Sequence, residues 1–179
     1  MANTFYRDTP FEHHFILYGE GWSGKSVFTG LLTALHGEQN VSNVPLAAIT
    51  NNTFALADLE FRDVNIDTEL SNVGAKDTSN IKKLTGGKRQ PIRIERKTPH
   101  TRDALIHSKL FFNTNKITTS VDQTGAYLRR ESLLSFPNTF QGKMDDPNTL
   151  KNLKQELPGI FNALMIPLRT PLKKQSDIH

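Results

Sequence analysis

The sequence predicts an α/β fold in which helices flank a central, mostly parallel sheet, and three stretches carry that prediction. His14-Phe15-Ile16-Leu17-Tyr18 is a short, aromatic-rich apolar run that reads as a strand. A glycine-rich turn follows it, and then Val27, Phe28, Leu31, Leu32 and Leu35 recur at helical spacing until Gly37 supplies a stop. Val64 and Ile66 mark a second strand with Asp67 and Glu69 at its C-terminal end, and Lys109 to Thr114 reads as a third, buried strand leading to Asn115. In an open sheet of this kind ligands bind at the C-terminal ends of the strands.

The turn after the first strand is Gly19-Glu20-Gly21-Trp22-Ser23-Gly24-Lys25-Ser26, which satisfies the phosphate-loop pattern G-x-x-x-x-G-K-[ST] at every fixed position. Glycines let consecutive N–H groups turn toward one phosphate, and the start of the following helix, with Val27, adds partial positive charge. Lys25 is expected to reach the β- and γ-phosphates of ATP, and the Ser26 hydroxyl to ligate Mg²⁺. Asp67 and Glu69 are the candidates to complete the metal site and to orient the attacking water. Two acids one residue apart on a strand point to the same side. Acids at strand ends are common, so this pattern gains its force from the loop upstream. Asn115 is a candidate to hydrogen-bond the γ-phosphate or the lytic water.

Composition bounds the rest. The 179 residues, 36% hydrophobic and 22% charged, suit one globular domain. No apolar run approaches membrane-spanning length and no secretory signal pattern is present, so a cytoplasmic location is expected, in the host cell if the gene is carried by a phage or plasmid. With no cysteine, disulfides and thiolate metal sites are excluded. A net charge of +4 is a mild preference for polyanions.

The intervening segments are read in chain order. Val44 to Ile49 is compatible with strand or loop. Thr53 opens a short helix, Phe54 to Leu59, with Phe54, Leu56 and Leu59 as buried candidates. Asp77 or Thr78 caps a helix running to about Leu84, closed by Gly86-Gly87. Gln90 to Glu95 alternates apolar and charged residues as a half-exposed strand does. It leads into the basic, turn-like Arg96-Lys97-Thr98-Pro99-His100-Thr101-Arg102, a hairpin tip suited to phosphate-backbone contacts. Asp122 to Glu131, carrying Arg129 and Arg130, reads as helix, and Leu133 to Phe136 as strand. Pro137 to Pro147 is a loop, followed by helices Asn148 to Leu157 and Gly159 to Met165. Residues 1–13 read as an N-terminal edge, 14–168 as the ATPase domain, and 169–179 as a flexible tail, as in a domain excised from a longer protein.

With these pieces in order, the chain resembles the superfamily 3 helicases, and more closely the helicase domain of phage and plasmid primase-helicases, whose fold is an AAA+ variant. Gly19 to Ser26 corresponds to motif A and Val64 to Glu69 to motif B. Ile81 through Lys97 looks like motif B′, and Leu110 to Asn115 matches motif C. Arg129-Arg130 matches the place of the arginine finger, and Leu157 to Asn162 the segment that closes the domain. The resemblance implies a homo-oligomeric ring, usually a hexamer, with ATP at subunit interfaces and Arg129 or Arg130 reaching the neighbour's γ-phosphate. It also implies a primase-polymerase domain upstream. Single-stranded DNA would be held by a hairpin insertion in which Arg96, Lys97, Thr98 and His100 are the contact candidates. Several relatives carry a histidine directly after the lysine, whereas Thr98 stands here and His100 comes later. Other readings of the same residues are a different phosphate-loop NTPase, such as a nucleotide kinase or a packaging motor, and an ATP-holding DNA-binding or assembly module without efficient turnover.

Overall fold

The computed structural model describes residues 1–7, 12–70, 78–86, 90–96, 101–116, 125–142 and 145–176. Its chain order is β1 (His14–Tyr18), α1 (Lys25–His36), β2 (Val41–Ser42), α2 (Leu46–Asn51), α3 (Thr53–Leu56), β3 (Val64–Asp67), α4 (Ser79–Thr85), β4 (Ile92–Ile94), β5 (Arg102–Ala104), β6 (Lys109–Thr114), α5 (Gly125–Leu128), β7 (Glu131–Ser135), α6 (Thr149–Gln155) and α7 (Leu157–Ser176). Five strands form one sheet in the order β2-β3-β6-β1-β7, with every pairing parallel. All five therefore end at the same edge. β4 and β5 form a separate antiparallel pair in which Ile92 faces Ala104 and Ile94 faces Arg102.

Alternation along the strands sorts the core into two layers. Leu17, Val64, Ile66 and Phe111 pack with Leu32 of α1 on one face. Leu110 and Phe112 face the other way, onto Leu46, Ile49, Leu56, Ile81, Leu84 and the hairpin residues Ile92, Ile94 and Ala104. The hairpin is thus anchored in the core by its apolar side rather than standing off the domain.

Four expectations change. The Val44–Ile49 run is the approach to helix α2, because Asn65, fully buried in β3, binds Val44 N–H at 2.7 Å and its carbonyl at 2.9 Å and turns the chain there. Phe54 is 49% exposed, since α3 turns Leu56 inward instead. The N-terminal edge is folded: a 3-10 turn at Ala2–Phe5 stacks Phe5 on His36 at 4.4 Å and sets it edge-on to Phe161 of α7 at 5.2 Å. α7 itself continues to Ser176, past the tail boundary drawn at residue 169.

Candidate nucleotide site

The glycine-rich turn sits where the strand ends converge. Gly24 holds φ +89°, a left-handed conformation in which a side chain would be strained, and it opens α1 without a side-chain cap. At any helix start the first N–H groups have no carbonyl one turn back, and Lys25, Ser26 and Val27 all line the adjoining cavity. Gly19 is fixed by contact: a Cβ there would lie 2.5 Å from the Phe136 carbonyl oxygen just beyond β7. Trp22 holds φ +62°, a left-handed backbone that costs a bulky residue about 1–3 kcal/mol, and its side chain is 62% exposed.

Lys25 Nζ donates to the carbonyls of Gly19 (2.5 Å) and Glu20 (2.7 Å) and to Ser23 Oγ (3.2 Å). Three acceptors saturate the three N–H bonds of the ammonium, so it closes the loop on itself. Burial holds its pKa below the ordinary lysine value. An incoming phosphate offers this ammonium a charged acceptor in place of neutral carbonyls, a stronger hydrogen bond.

The cavity beside the loop, about 730 Å³, is of ligand size. Gly21, Trp22, Ser23 and Gly24 line it from the loop, Thr68 from the end of β3, and Asn113 and Asn115 from the end of β6. Phe140, Asp145, Asp146 and Thr149 close the far side. Phe140 is 43% exposed, and its N–H binds the Trp22 carbonyl at 2.9 Å, which ties that wall to the loop. A second cavity of about 210 Å³ adjoins it, lined by Thr68, Glu69, Leu70, Asn113, Thr114, Asn115 and Lys116. Thr68, Asn113 and Asn115 are common to both.

The structure therefore brings Lys25, Ser26, Asn115 and Glu69 to one edge, and corrects the expectation for Asp67. Val64 and Ile66 point to the α1 face, so parity sends Asp67 to the opposite face. There its carboxylate, 8% exposed, accepts Leu46 N–H at 3.0 Å and Glu69 N–H at 3.2 Å and starts α2. It lines neither of these cavities. Thr68 occupies the phosphate side in its place. Among the described residues no three carboxylates or imidazoles gather as a metal cage. Ser26 lines the larger cavity and Glu69 the smaller, oxygen donors of the kind Mg²⁺ takes alongside phosphate and water.

Arg129 and Arg130 lie just before β7, at the opposite end of the parallel strands from the cavity. Arg130 Nη2 pairs with Glu12 at 3.0 Å and its side chain is 22% exposed, whereas Arg129 is exposed. Of the hairpin candidates, Lys97, Thr98 and His100 lie outside the described residues. Arg96 is held differently from the expectation of a DNA contact at the tip: its guanidinium pairs at 2.9 Å with Glu60, which Arg102 grips at 2.6 and 2.7 Å.

Sequence reasoning missed Thr68, Asn113, Phe140, Asp145, Asp146 and Thr149. Parity from Val64 and Phe111 would have found the first two; the others come from the segment after β7, which the Phe140–Trp22 hydrogen bond and the packing of α6 on α1 bring to the cavity.

An open parallel α/β sheet with a glycine-rich loop feeding α1 at its C-terminal edge defines a domain of the phosphate-loop NTPase type. The model of a family described as a family of unknown function (DUF5906) matches residues 17–130, and the chain belongs to that family. Among solved structures, an A-form apo structure of the NrS-1 C-terminal region matches with a TM-score of 0.69 at 16% identity, over 91% of this chain and 38% of that one. An apo structure of NrS-1 residues 305–718 gives 0.65 at 17% identity, over 89% and 38%. A ligand-bound JCV helicase gives 0.51 at 18% identity, over 87% and 42%. These likenesses carry the fold. The chain spans about two fifths of the length of each structure.

Proposed function

We propose that this chain is the ATP-hydrolysing motor domain of a superfamily 3 type DNA helicase. One observation carries the reading: the phosphate loop, Thr68 and Asn115 line a single cavity at the C-terminal edge of the sheet, with Glu69 in the cavity next to it. That is the arrangement a triphosphate and its attacking water require. The fold shared with a helicase supports it from a second direction.

In this reading ATP binds with its phosphates on the N–H groups opening α1, and Lys25 exchanges the Gly19 and Glu20 carbonyls for phosphate oxygens. Trp22 and Phe140 offer aromatic surface to the base, and Asp145 and Asp146 offer acceptors for ribose hydroxyls. Mg²⁺, held through Ser26 and Glu69, would supply charge neutralisation between the terminal phosphates. Glu69 takes the proton of the attacking water while Asn115 orients it. Arg129 and Arg130 are remote from the cavity of their own subunit, so a finger drawn from them serves the next copy in a homo-oligomer, expected to be a hexamer. Single-stranded DNA is gripped by the β4–β5 hairpin through its basic tip, by backbone contacts that tolerate any sequence.

The test is steady-state ATP hydrolysis with and without single-stranded DNA. The parent is expected to turn over ATP faster with DNA, and Lys25→Ala to lose at least ~100-fold in kcat. Retained hydrolysis by Lys25→Ala would contradict the site.

A further inference from the structure

β6 carries Asn113 and leads into Asn115, and only Asn115 was expected to act. Asn113 follows Phe111 by two residues and so shares its face of the sheet, the face of α1 and the phosphate loop. It sits in register beside Leu17, two residues before Gly19. The side chain is 4% exposed, and among the described residues no protein group hydrogen-bonds its Oδ1. Burying an amide this way is costly, and a leucine of nearly the same shape would pack against Leu17 at no such cost. The residue also lines both cavities, at the wall they share with Thr68 and Asn115. Lys25 and Ser26 line the larger of the two cavities and Glu69 the smaller.

We infer that the Asn113 amide is a second sensor, hydrogen-bonding the terminal phosphate of the bound nucleotide or the water that attacks it. An amide carries donor and acceptor on one carbon and can turn either toward the cavity. It can therefore donate to a phosphate oxygen or accept from the water. A contact made at the reacting end bears on turnover more than on the binding of a diphosphate, which lacks that end. The inference rests on the ATPase reading above.

The experiment compares the parent, Lys25→Ala and Asn113→Leu in three measurements: kcat for ATP, ADP affinity from the fluorescence of Trp22, the one tryptophan of the chain, and thermal midpoint. Asn113→Leu is expected to lose ~10-fold or more in kcat, with ADP affinity within ~3-fold of the parent and a thermal midpoint equal or higher, because the unpaired buried oxygen is gone. An unchanged kcat overturns the inference. So does a lowered midpoint with weakened ADP binding, which would make Asn113 a packing residue. A parent that does not hydrolyse ATP, or a Lys25→Ala chain as active as the parent, removes the ATPase reading itself and this inference with it.

Discussion

His14 enters β1 with no exposed surface, set between the rings of Phe112 (6.1 Å) and Tyr127 (5.1 Å), and neither ring nitrogen has a protein partner among the described residues. Burial, reinforced by the charges of His13 and Arg130, pushes its pKa down to about 4 from an ordinary 6.5. The neutral ring is therefore the native form. Between pH 6.5 and 4 the unfolded chain binds a proton that the folded chain refuses, so stability rises with pH across that window and is lost on acidification. The full loss from this one group is about 3 kcal/mol. His14→Leu is expected to be insensitive to that term, so its stability relative to the parent should improve steadily as pH falls from 6.5 to 4. Denaturant titrations of both proteins across the window check this, and a difference that does not vary with pH would sink it. His36, also held below its ordinary value chiefly by burial, leaves the variant a residual slope of the same sign.

At the scale of elements, the hairpin depends on one carboxylate. Glu60 is 4% exposed in its side chain and is gripped by Arg96, just after β4, and Arg102, at the start of β5, each 48% exposed. The guanidiniums can rehydrate if Glu60 goes, but the carboxylate cannot if they go. Glu60→Gln is thus expected to cost about 1–2 kcal/mol, and the Arg96→Ala, Arg102→Ala double variant about 3–5 kcal/mol, because it strands a buried charge. Urea unfolding of the parent and both variants decides, and a double variant no less stable than Glu60→Gln would mean that no buried charge is stranded.

None of this clamp was visible in the sequence, where Arg96 and Arg102 read only as members of a basic tip. The parts that were legible are those written in local pattern. The apolar runs of β1, β3 and β6, the helical spacing of α1 and the fixed positions of the phosphate loop all stand where expected. What was not legible depends on partners far along the chain. Asn65 and Asp67 turn the Val44–Ile49 run into the start of a helix, and the 3-10 turn at Ala2–Phe5 gives α7 a surface to lie on. Pro158 falls in the first turn of α7, where a missing N–H costs nothing, and the helix read as ending at Met165 runs on to Ser176.

For the whole molecule the decisive fact is polarity. Every strand of the sheet runs the same way, so one edge carries the cavity and the other carries Arg129 and Arg130. β7 separates them by five residues, about 16 Å of extended chain, farther than an arginine side chain reaches. On the proposed reading a lone copy therefore brings Lys25 but no arginine to the transferring phosphate, and a ring would supply one only if each cavity meets the arginine edge of the next copy. Arg129 is exposed at that edge, whereas the Arg130 side chain is 22% exposed. On exposure alone Arg129→Ala is expected to lose ~10³-fold in kcat, more than Arg130→Ala. Because the defect of Lys25→Ala lies in the cavity and that of Arg129→Ala in the opposite edge, mixing the two inactive chains should regenerate sites with an intact loop facing an intact arginine. ATP hydrolysis by an equimolar mixture, followed across a protein concentration series, reads this directly. Activity is expected to reappear in the mixture, and that of the parent to rise more steeply than its concentration. A mixture as silent as its parts, with parent activity strictly proportional to protein, would show that each copy works alone.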